Sequence, residues 1–133
     1  MPLWDQLDMT NLIRQILSAV PPEPTYNTGR PFLTTYQIAI EFARRFPQET
    51  TAIGHATGGE GHGPYAVTTY IARWLPDRIQ RGANDIEMAF LDAMHMSSLQ
   101  FEDAGTTRTA TTNQAGFNAT MFRLRDQASP LAL

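Results

Sequence analysis

Ser97–Arg125, SSLQFEDAGTTRTATTNQAGFNATMFRLR, is the stretch that separates this chain from an all-helical one. Leu99 and Phe101 alternate with Ser98, Gln100 and Glu102, the period of a half-buried strand. Asp103-Ala104-Gly105 supplies a turn. Thr106–Thr112 follows as a β-prone run with almost no apolar face. Asn113–Gly116 reads as a second turn and Phe117–Arg125 as a last strand. There Phe117, Ala119 and Met121 lie on one side, and Thr120, Phe122 and Leu124 on the other. Bulky residues on both sides place that strand at the centre of a small antiparallel sheet.

The regular elements expected before this stretch are helices joined by a linker and a loop. Met9, Leu12, Ile13, Ile16, Leu17 and Val20 repeat with helical spacing, with Asp8 as the expected N-cap and Pro21-Pro22 as the stop. PPEPTYNTGRP, residues 21–31, reads as an extended linker. Thr34 and Gln37 then form a capping box, flanked by Leu33 and Ile38 at the spacing of a hydrophobic staple. The helix they open is apolar around most of its circumference, so it belongs at the centre of the domain. Its Glu41, Arg44 and Arg45 share one polar stripe, and Pro47 closes it.

PQETTAIGHATGGEGHGP, residues 47–64, is rich in glycine and threonine. It reads as a connection with at most a short turn at 48–53 and a Gly-rich loop over 54–63. Pro64 starts a third helix carrying Val67, Tyr70, Ile71, Trp74 and Leu75; it is expected to continue through Pro76 and stop at Gly82. Asn84 with Glu87 has the pattern of another capping box. That predicts a fourth helix over 85–95, with a strand as the alternative.

The expected fold is therefore α+β: a single domain over 1–133, with three or four helices packed on one face of a small C-terminal antiparallel sheet. The N-terminal amphipathic helix takes 1–20, the linker 21–31, the helical part 32–96, the sheet 97–125 and a tail 126–133.

Composition removes whole classes of chemistry. The chain has no cysteine, which excludes disulfide scaffolds, thiolate metal sites and cysteine nucleophiles. All ten basic residues are arginines, which excludes Schiff-base lysines and the phosphate lysine of a Walker loop. No apolar run spans a membrane and no basic-then-apolar leader is present, so the expected location is cytoplasmic, away from membranes. The four serines stand in no nucleophile-elbow setting, and no cofactor is expected.

Four candidate surfaces remain. The free amides around Gly61, Gly63, Tyr65 and Ala66, at the start of the third helix, have the character of an anion site, against the reading of a plain connector. His55, Glu60 and His62 supply imidazole and carboxylate ligands of the kind zinc accepts, against the reading of solvated loop histidines. Arg73, Arg78 and Arg81, with Trp74 among them, mix basic and aromatic character as a nucleic-acid face does. Asp77, however, stands where it can pair with Arg81. Thr107, Thr109 and Thr111 form a strand whose register no core face fixes; with the apolar Leu131 and Leu133 they suit contact with another chain.

The order of three helices followed by a β-hairpin resembles a winged helix-turn-helix domain, a resemblance of topology alone. It implies a small DNA-binding regulator using the three arginines, although the 47–64 connection is longer than the tight turn of that motif. The leading expectation is a non-catalytic, self-associating binding or assembly subunit, a homo-oligomer or the partner of another protein. A DNA-binding regulator comes second, and a metal-dependent enzyme built on the histidine loop third.

Overall fold

The structure, a computed structural model, describes residues 1–26, 28–56, 64–92, 94, 96–111 and 119–125. Its helices are α1 (Leu3–Gln6), α2 (Met9–Ser18), α3 (Thr35–Arg45), α4 (Pro47–Ala56) and α5 (Pro64–Gln80). Its strands are β1 (Leu33–Thr34), β2 (Ile86–Leu91), β3 (Ser98–Asp103), β4 (Thr106–Thr111) and β5 (Ala119–Leu124). The class is α+β, as the sequence pattern implies. Among the described residues all pairing is antiparallel, in a three-stranded sheet of order β1-β5-β2 and a separate two-stranded sheet β3-β4.

The core is the meeting of α2, α3 and α5 over one face of the larger sheet. Met9, Ile13, Ile16 and Leu17 from α2, Ile38 and Phe42 from α3, and Val67, Ile71 and Leu75 from α5 are fully buried. Ile86 and Phe122 close it from the sheet side. The Thr34–Gln37 capping box forms in both directions: the Thr34 hydroxyl accepts from the Gln37 amide, and the Gln37 carboxamide oxygen accepts from the Thr34 amide. At the far end of α5, Gly82 takes φ +142°. Its amide donates to Ile79 O (3.3 Å) and that of Ala83 to Arg78 O (3.0 Å), a Schellman closure. The chain does run helically through Pro76.

Several local readings need correction. Asp8 sits in the left-handed region (φ 57°) and caps no backbone amide; its carboxylate accepts instead from the Asn11 side chain. The apolar lead-in around Trp4 is itself a short helix, and Trp4 is buried with its indole N–H donating to Thr10 Oγ1 (2.9 Å). The region read as a turn at 48–53 and the start of the loop at 54 is helix α4, reaching Ala56. Pro47 begins it, Thr50 and Thr51 bond back to Phe46 O and Pro47 O, and buried Ile53 anchors it. With Ile53 as its main apolar anchor, α4 shows no periodicity to read.

The helix expected over 85–95 is strand β2. Asn84 and Glu87 form no capping box; instead Arg123 of β5 donates to the Glu87 carboxylate (2.9 Å), and Arg125, just past β5, donates to Asn84 O. The sheet also reaches beyond 97–125, drawing β1 and β2 from the helical part, while β5 holds the central place expected of it.

The Pro-rich segment is more than a tether. Glu23 N–H donates to Gly29 O (2.9 Å). The Glu23 carboxylate accepts from the Thr25 amide, which holds its pKa below the ordinary glutamate value. Arg30 donates to the carbonyls of Ser18 and Val20, closing the end of α2.

Candidate functional site

The β3–β4 hairpin is the part of the described chain that the core does not explain. It begins with its turn. Ala104 (φ 51°) and Gly105 (φ 88°) both occupy the left-handed region between paired Asp103 and Thr106, the geometry of a two-residue type I′ turn. Its twist matches that of the strands it joins, so the turn alone sets the register. Such a turn makes the flanking pair Asp103–Thr106 hydrogen-bonded, and the pattern then alternates up the ladder. Phe101–Arg108 and Leu99–Ala110 are bonded pairs, whereas Glu102–Thr107, Gln100–Thr109 and Ser98–Thr111 are not. The backbone N–H and C=O of Thr107, Thr109 and Thr111 consequently point away from β3.

The two faces of the hairpin differ. Leu99, Phe101, Asp103 and Arg108 are half-buried; Ser98, Gln100, Glu102, Thr107 and Thr109 are exposed. Phe101 stacks on Tyr36 of α3, with ring centroids 5.1 Å apart and planes 17° from parallel. The Arg108 guanidinium is held by the Asp103 carboxylate and the Tyr36 hydroxyl, and these bonds, with Asp103 foremost, raise its pKa above the ordinary arginine value. Thr107 Oγ1 donates to Glu102 on the exposed face (3.1 Å). Sequence reading named the threonines but missed Tyr36 and Arg108. Tyr36 reads simply as part of an apolar helix, and Arg108 as a lone charge in a polar strand.

The arginine face predicted on the third helix is largely neutralised. Arg78 pairs with Asp5 of α1 (3.0 Å) and lies over the Trp74 ring (5.4 Å), and Arg81 pairs with Asp77 (3.1 Å). Arg78 Nε is buried without a hydrogen-bond partner. Elsewhere Arg14 is bidentate to Asp85 (2.8 and 3.0 Å), across a shallow groove lined by Asn11, Gln15 and Leu124. Arg44 and Arg45 share Glu41, and Arg123 and Arg125 share Glu87. Among the described residues, exposed Arg73 alone has neither an acid nor a backbone carbonyl as partner.

Of the anion candidates, Tyr65 and Ala66 lie in the first turn of α5, and Gly61 and Gly63 fall outside the described residues. Of the metal candidates, His55 lies on α4, and Glu60 and His62 fall outside the described residues; among those described, no three His, Asp or Glu converge. Leu131 and Leu133 also lie outside them. No helix among the described residues is long and apolar enough to cross a membrane. The chain matches no family model, and no curated protein or solved structure matches it significantly.

Proposed function

We propose that this chain is a non-catalytic, self-associating binding or assembly subunit, and that the β3–β4 hairpin is its association surface. The observation that carries the reading is the separation of the hairpin from the main sheet, with the backbone of Thr107, Thr109 and Thr111 turned outward. A lone two-stranded hairpin is marginal in water and gains from a further strand. The arginines support the same reading: nearly all are spent on partners within the chain, leaving little free positive charge for phosphate.

Light scattering at micromolar concentration tests it. A dimer or larger closed species is expected, and Thr109→Pro, which removes an outward amide while sparing the β3 ladder, lowers the mass without changing the circular dichroism. A strict monomer overturns the proposal.

One observation favours a second reading. The order β1-β5-β2, with β1 between the first long helix and the next, is the strand order of a winged helix, and Arg73 stands on the exposed side of α5. On that reading the chain binds duplex DNA, with affinity falling steeply as salt rises, and replacing Arg73, Arg78 and Arg81 together abolishes binding. Fluorescence anisotropy with a labelled duplex at two salt concentrations decides it.

A further inference from the structure

We infer that the partner at this hairpin is a second copy of the chain, joined β4 to β4 in antiparallel register about a two-fold axis at Thr109, giving a four-stranded sheet β3-β4-β4-β3. The inference rests on the reading of the hairpin as an association surface and adds its geometry.

The outward backbone groups come first. Pairing through Thr107, Thr109 and Thr111 requires that a two-fold axis normal to the sheet pass through a residue, since opposed residues must share a face. Centring at Thr109 opposes Thr109 to itself and Thr107 to Thr111 of the second copy, all through outward groups. It sets Arg108 against Ala110. Centring at Arg108 instead opposes two guanidinium groups directly, which like-charge repulsion disfavours. Charge therefore excludes the Arg108 register, and centring at Thr109 is the register that opposes all three outward residues of β4 to one another.

Among the described residues the edge is also undefended. Natural edge strands are blunted by lysine, proline, bulges or inward charges. β4 has no proline and no lysine, and pairs with β3 without a bulge from Thr106 to Thr111. Its single charge, Arg108, folds back onto Asp103 and Tyr36 rather than guarding the edge. β3 differs, because its own outward positions include Glu102.

Cysteine scanning tests the register cleanly, since the chain has no native thiol. In the bonded pair at the axis the Cα atoms stand about 5.5 Å apart, inside the range a disulfide spans. Full-length Thr109→Cys under mild oxidant is expected to form a disulfide dimer by itself. Thr107→Cys and Thr111→Cys are expected to remain unlinked alone and to cross-link when mixed. Native-like circular dichroism of each variant, reduced, confirms folding. If the wild type is a dimer yet Thr109→Cys does not cross-link, or Thr107→Cys links to itself more readily, the register is overturned and the association reading stands. A monomeric wild type overturns both.

Discussion

The chain builds two antiparallel sheets by different means. In the larger, burial sets the register: Phe122 and Ile86 are fully buried, so sliding β5 or β2 by one residue would turn these side chains to the opposite face. In the hairpin the turn sets it, through Ala104 and Gly105 in the left-handed region, and just one aromatic stack and one arginine are described tying it to α3. Neighbouring stretches of one chain thus hold their shape by core packing in one case and by backbone geometry in the other.

This contrast can be broken by three substitutions. Phe122→Ala is expected to cost about 3–5 kcal/mol in urea unfolding, as for a fully buried aromatic. Gly105→Ala places a side chain at φ +88° and is expected to cost about 1–2 kcal/mol, with the loss confined to hairpin amides in hydrogen exchange. Phe101→Ala removes the stack on Tyr36, worth about 0.5–1.5 kcal/mol beyond the area Phe101 buries, and should cost less than Phe122→Ala. If it matched Phe122→Ala, the hairpin would be part of the core and the contrast would fail.

The smallest effect tests the polar stripe of α3. Hydrogen bonding from Arg44 holds the Glu41 pKa below its ordinary 4.5, so Glu41 stabilises the fold above that value and the contribution is lost as pH falls through its lowered folded pKa. Glu41→Gln should flatten that part of the acid limb by lowering stability slightly at neutral pH while leaving it unchanged below the folded pKa of Glu41. An unaltered acid limb would show that the pair is energetically idle.

What was legible in the sequence was what neighbours along the chain decide. The α2 stripe, the Thr34–Gln37 box, the stop at Gly82 and the Ala104-Gly105 turn all follow from residues within a few positions of one another. What was not legible depends on distant partners. β1 is two residues long and exists because β5 lies beside it. β2 carries a helix-start pattern that Arg123 and Arg125 override from the far end of the chain. Of the candidate site, the threonines were readable from composition and alternation, whereas the outward direction of their backbone follows from the turn type, which needs the φ values of Ala104 and Gly105.

One feature of the larger sheet bears on how the molecule is made. Its middle strand is the last to be synthesised, and it binds Leu33 and Thr34 on one side and Ile86–Leu91 on the other. Until β5 leaves the ribosome, the flanking strands have nothing to zip onto and the apolar faces of α2, α3 and α5 lack their floor. Until that strand arrives the nascent chain carries open apolar faces, and it is a natural client for holding chaperones.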